Sequence, residues 1–224
     1  PPKRWDVRGV WGDIEREVKP FEEEGQPEQH GEVTEMLPWY RMATYMNPRL
    51  VKAWRRGTPL DDAPTIFEGH VEDVSVSAYS IMTPEARYDL VHRSPAFFRG
   101  ENFLVLDGRL VKVDVPEDAE LRGIFKNQVL VSLRSDWTVA DVTYPQDALL
   151  AIDLDRFLAG ARDFEILFQP SERVALDGVS STLNMLLLST LDNVRGRLYQ
   201  LVFADGAWTR TEVSLPGLGT VGVG

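Results

Sequence analysis

The side chains able to do chemistry in this chain are few and scattered. Cysteine is absent, which removes disulfides, thiol nucleophiles and thiolate metal ligands together. The histidines are His30, His70 and His92. A serine nucleophile needs a histidine within hydrogen-bond reach and a sharp strand-to-helix turn of the form G-x-S-x-G. No such pentapeptide occurs. The nearest serines, Ser180 and Ser181 in DGVSST, lack the second glycine and the following helix, and they read as strand or turn serines. All three histidines stand in polar surroundings and read as surface residues. Their separations do not match zinc spacing. Asp153 and Asp155 could offer oxygens to calcium, but they flank a short helix start, where capping explains them more simply. Asp61-Asp62 reads as a turn. The expected catalytic, cofactor and metal residues are therefore none.

Binding chemistry is equally thin. Gly217–Gly224 is glycine-rich, but no helix follows to cradle a phosphate. The basic run Lys52–Arg56 with Trp54 could contact nucleic acid. It is isolated in a chain of net charge -11, which disfavours a polyanionic partner. It reads instead as a solvated strand edge or a contact to another domain. Trp137 and Tyr144 could form a sugar platform beside paired carboxylates. Thirty-five acidic residues make chance proximity easy, and no pair is singled out. No apolar run approaches the ~20 residues that span a bilayer. Pro1–Trp11 has no apolar signal core. The compartment is expected to be cytoplasmic.

The elements that must position these groups are strands. The 224 residues are 43% hydrophobic, enough for a substantial core. Val74, Val76 and Ala78 alternate with Ser75, Ser77 and Tyr79, the pattern of a half-buried strand. Phe97–Leu106 and Arg109–Val115 flank Asp107-Gly108, and Phe203 and Trp208 flank Asp205-Gly206. An Asp-Gly pair between strands predicts a tight hairpin, because glycine accepts the positive φ that a type I′ turn requires. Gln128–Arg134, Ala148–Leu154 and Phe164–Phe168 read as strands, and Asp155–Gly160 as one helical turn. Leu183–Thr190 and Leu198–Phe203 are apolar on both faces, which places them inside a stack of sheets. Residues 1–46, with the acidic run Glu15–Glu24 broken by Pro20, show no sustained period and stay unassigned, as loop or irregular strands.

A run ends in proline three times, at Pro116, Pro170 and Pro216. Propeller blades repeat at roughly 40–50 residues. The chain is thus expected to be all-β, built of four-stranded antiparallel propeller blades over 47–216, with a flexible Gly-rich end at 217–224. At that spacing it would form an incomplete ring of about four to five blades. Open blade edges invite pairing with another chain, so self-association is expected. A strictly monomeric species in light scattering would contradict it.

Several stretches resemble the propeller region of bacterial prolyl oligopeptidase family serine peptidases. They are Pro48–Leu60 (PRLVKAWRRGTPL), Ala63–Gly69 (APTIFEG), Asp73–Ala78 (DVSVSA), Leu130–Tyr144 (LVSLRSDWTVADVTY), Leu149–Phe168 (LLAIDLDRFLAGARDFEILF) and Leu183–Leu198 (LNMLLLSTLDNVRGRL). The resemblance covers about 47–216. It implies a two-domain hydrolase in which an α/β-hydrolase domain carries Ser, Asp and His. A seven-bladed propeller then covers the active site and admits only short peptides. No triad residue can be transferred to this chain. The implied partners are the hydrolase domain of the same parent protein and a peptide substrate, with no cofactor, nucleic acid or membrane. The competing reading is a free-standing propeller-type module that binds proteins or peptides.

Overall fold

The computed structural model describes residues 49–215 and Gly222. The unassigned segment 1–46, His30, Pro216 and the glycine-rich end, Gly222 apart, lie outside the described residues. The described residues form three four-stranded antiparallel sheets and two two-stranded ones, in an open arrangement. Strands β1 (Leu50–Lys52) and β2 (Thr65–Glu68) pair first. The first full sheet runs β3 (Ser75–Met82), β4 (Arg87–Ala96), β5 (Arg99–Leu106) and β6 (Arg109–Lys112). The second joins β7 (Glu120–Phe125), β8 (Gln128–Ser132), β11 (Leu149–Asp153) and β12 (Glu165–Phe168). A hairpin, β9 (Trp137–Val139) and β10 (Val142–Tyr144), is inserted between its two central strands. The third runs β13 (Val174–Ser181), β14 (Leu186–Asp192), β15 (Arg195–Ala204) and β16 (Ala207–Val213). In each, neighbours in sequence are neighbours in the sheet, apart from the inserted hairpin. This is the plan of a propeller blade.

Local sequence explains most turns. Asp107 (φ 49°) and Gly108 (φ 73°) close β5–β6, and Asp205 (φ 53°) and Gly206 (φ 77°) close β15–β16, both in the conformation expected of Asp-Gly. Helix α1 (Leu154–Leu158) starts where Asp153 accepts the Arg156 N–H at 3.0 Å, so Asp153 caps it. It stops at Gly160 (φ 100°). Asp61-Asp62 is a turn, as read from the sequence.

Other readings change. Phe97, taken as a strand start, belongs to the two-residue turn between β4 and β5. Ala96 pairs with Arg99, and Phe98 adopts φ 62°. Val76 is buried against Val51 of β1, but Ala78 is exposed, so the half-buried alternation of β3 ends early. Pro116 and Pro170 do follow the last strands of the first two blades, although Val113–Pro116 has already left the sheet. The described residues hold three full blades and the two-stranded β1–β2 pair. The middle blade is lengthened by its inserted hairpin and helix, and β1–β2 supplies only two strands.

The core lies between the blades. Tyr88, Leu90 and Leu104 of blade 1 meet Ile124, Val129, Val131, Leu150 and Ile152 of blade 2. Phe125, Leu130, Leu149 and Leu167 of blade 2 meet Leu186, Leu188 and Leu201 of blade 3. The β1–β2 pair covers the other face of blade 1, with Phe67 5.3 Å from Phe103. Burial on both faces explains the continuous apolar runs of the sequence.

Candidate functional site

Two faces of strand β4 show how the site is placed. Side chains alternate along a strand, so Tyr88, Leu90, His92 and Ser94 share the face toward blade 2, and Asp89, Val91 and Arg93 share the other. On the second face, Arg93 forms a bidentate pair with Asp73, both contacts at 2.8 Å, and reaches Glu101 at 2.8 Å. Lys112 completes the cluster on Glu101 at 2.6 Å. Asp73 also accepts the His70 N–H. The Arg93 hydrogen bond holds the Asp73 carboxyl below its ordinary range against the opposing effect of burial. Lys112, then Arg93, does the same for Glu101. Every charge here has its partner, so this cluster clamps the loop before β3 onto blade 1.

The first face is different. At Tyr88 and Leu90 it is packed in the core between blades 1 and 2. One turn of the pleat further on, at His92 and Ser94, it opens into a polar cleft of about 350 Å³. The register places Asn102 of β5 opposite His92. His92 Nδ1 lies 3.0 Å from Asn102 Oδ1, and His92 Nε2 lies 3.3 Å from Ser94 Oγ. The amide oxygen can only accept, so with the amide oriented this way Nδ1 carries the proton and Nε2 takes the serine hydroxyl. Tyr79 of β3 donates to the same Asn102 oxygen at 3.5 Å, and burial raises the phenol above its ordinary value, keeping it a donor. Gly100 makes room for the imidazole: a β-carbon there would stand 2.5 Å from His92 Cε1. The cleft is also lined by the blade 1–blade 2 link and β7, with Glu117, Asp118 and Glu120, and by Arg99 and Arg134, and the Glu117 carbonyl accepts the Gly100 N–H at 2.6 Å.

His92 was read from the sequence as a surface residue. It is half-buried and hydrogen-bonded on both ring nitrogens, because it falls on the inter-blade face of a central strand. His70 is exposed. Ser180 and Ser181 lie at the end of β13, as expected of strand serines. Asp153 and Asp155 both accept from Asn127 Nδ2, at 3.2 and 3.0 Å, and Asp153 caps α1. Among the described residues no group of three or more His, Asp and Glu is gathered around a point that could hold a metal. Trp137 and Tyr144 are no exposed platform. They pack with Phe164 at 5.0 and 5.7 Å, and Tyr144 Oη accepts the Phe164 N–H at 2.9 Å, because the inserted hairpin folds back onto blade 2. Lys52 ends β1, and Trp54 Nε1 donates to the Thr58 carbonyl in an exposed loop. Among the described residues no helix is long and apolar enough to cross a membrane.

The sequence reading missed Tyr79, Asn102, Gly100, Glu117, Asp118 and Glu120. One signal was available for His92: it interrupts the apolar alternation Tyr88–Leu90 on a strand, which marks where an inter-blade face turns polar.

The architecture defines an all-β array of propeller blades, and comparison with known proteins refines this. No protein-family model matches the chain. An uncharacterized peptidase, y4nA, of Sinorhizobium fredii is 33% identical over 176 residues, covering 75% of this chain and 24% of that protein. The structure of a post-proline cleaving enzyme from Rickettsia typhi superposes with a TM-score of 0.71 at 25% identity, over 78% of this chain and 27% of that one. Oligopeptidase B from Leishmania major, at 13% identity and a TM-score of 0.53, shares the fold over 75% of this chain and 24% of its own. The chain spans about a quarter of the length of the curated relatives it matches. It is related to prolyl-oligopeptidase-like peptidases and has the fold of part of one, the matched region being a partial domain.

Proposed function

We propose that this chain is the non-catalytic propeller part of a prolyl oligopeptidase family serine peptidase, whose hydrolase domain is carried elsewhere in the parent protein. Its work is gating: the blades restrict admission of short peptides to that domain. The observation that carries this reading is the match of a blade-only stretch to about a quarter of a relative named as a peptidase. The absence of a G-x-S-x-G elbow from the sequence supports it. The reading includes blades over 47–216, cytoplasmic location, and self-association of the isolated piece through its unpaired blade edges.

The test compares the 224-residue chain with the parent protein on a fluorogenic post-proline peptide, with and without a serine-directed phosphonate. The parent is expected to cleave and to be inhibited, and the chain to be inert. Phosphonate-sensitive hydrolysis by the chain alone, or a parent reading frame without a hydrolase domain, sinks the proposal.

A further inference from the structure

Blade 3 is joined to its neighbour on one side only. The registers of β14, β15 and β16 set Ser189, Leu198 and Val213 in one cross-strand row and Leu187, Gln200 and Thr211 in the next. Side chains alternate along a strand, so both rows point away from Leu186, Leu188 and Leu201, which meet blade 2. Leu191 and Val202 extend the same face. Its leucines and valines are half-buried, and none belongs to the apolar clusters that join the blades.

The face is also uncharged. Charged residues make up 26% of the chain, yet the two rows contain none. At the margin Asp177, on the bulge of β13, accepts the Ser189 hydroxyl at 3.1 Å. A net charge of -11 makes two copies of this chain repel, and an uncharged face is where they can approach most easily. The outer face of blade 1 is already taken: Val91 and Phe103 pack there with Val51 of β1 and Phe67 of β2. Among the described residues, the open blade face that a second copy can offer is therefore the same one, on its own blade 3. A contact between identical faces is isologous and closes at two chains.

We propose that a second copy of this chain covers the outer face of blade 3, sheet against sheet about a twofold axis. This contact rests on the self-association proposed above and adds to it a surface distinct from the blade edges. Unpaired edges add chains without limit, whereas this face stops at a pair. Four strands of about seven residues present a face of roughly 400 Å². Two such faces fall short of the about 1,200 Å² of a stable interface, so the pair is weak and reversible.

Sedimentation velocity on the intact 224-residue chain across the micromolar range tests this. A reversible monomer–dimer equilibrium is expected, no weaker at high salt, because salt screens the repulsion between acidic copies. Leu198→Glu places like charges in the contact and is expected to raise the dissociation constant at least about ten-fold. Leu183, 67% exposed on the β13–β14 turn, lies on the blade 2 side beside Phe125, so Leu183→Glu is expected to leave the equilibrium unchanged. If urea unfolding shows that Leu198→Glu does not fold, Thr211→Lys, exposed on the same face, takes its place. Assembly that these face variants leave unchanged overturns the contact and leaves edge pairing standing. A monomer at every concentration removes both, and equal weakening by Leu183→Glu also overturns the contact. No peptidase activity is read, so failure here leaves the parent assay standing, and the reverse.

Discussion

The two junctions that blade 2 makes are built from the same kind of strand yet behave differently. Toward blade 3 the contact is dry: Leu186, Leu188 and Leu201 press on Leu130, Leu149 and Leu167. Toward blade 1 it is apolar for half its length and lined by polar groups for the rest, changing over between Leu90 and His92 on a single face of β4. The difference teaches where undirected and directed contacts divide. Apolar burial needs no direction, so the dry junction holds the array together. Polar groups need partners, so a junction lined by them is held by directed hydrogen bonds and ion pairs and stays open where apolar packing stops.

The largest effect should come from the dry junction. Leu188→Ala removes a fully buried side chain and is expected to lower the free energy of unfolding by about 4 kcal/mol, read from urea midpoints at constant slope. A loss under about 1 kcal/mol would mean the blades are not cemented there.

The ion cluster on the opposite face of β4 sharpens the comparison next. Asp73→Asn leaves Arg93 short of its buried partner and should cost about 3 kcal/mol. Arg93 depresses the folded-state carboxyl below its unfolded value, so the stabilisation is complete above that unfolded value, near 3.9, and is lost as pH falls through the lower folded one. Wild type should lose stability below about pH 4, and Asp73→Asn should lose less over the same window. Parallel pH profiles would remove the pair from the account.

The smallest effect tests dryness itself. Thr190 Oγ1 is buried at the blade 2–blade 3 side and has no hydrogen-bond partner among the described residues. Thr190→Val keeps the shape and removes the orphan, so it should stabilise by about 1 kcal/mol. Destabilisation would show that a water or an unseen group satisfies the hydroxyl, and the junction would not be dry.

The turns show how much was legible. Asp107-Gly108 and Asp205-Gly206 declare themselves because glycine is the residue that accepts positive φ without cost. Lys126-Asn127, Ala140-Asp141 and Asn193-Val194 take the same left-handed conformation between paired strands and went unread, since only sheet pairing imposes it on such residues. A repeated device also passed unseen. Thr83 and Thr182 each accept the N–H three residues on and donate to that residue's carbonyl, closing β3–β4 and β13–β14 alike. Threonine is too common for this spacing to stand out.

By itself the sequence determined an all-β chain, its two Asp-Gly hairpins, the capped helical turn, strands buried on both faces, and the lack of a nucleophile elbow. Each is a local property, written in periodicity or in one residue's conformational preference. Only the tertiary structure decided that His92, Asn102 and Tyr79 converge, that Glu117 and Asp118 line the same cleft, and that Trp137 and Tyr144 are core. Those neighbours come from three adjacent strands and an inter-blade link, and strand register, which a one-residue slip would reverse, sets them together.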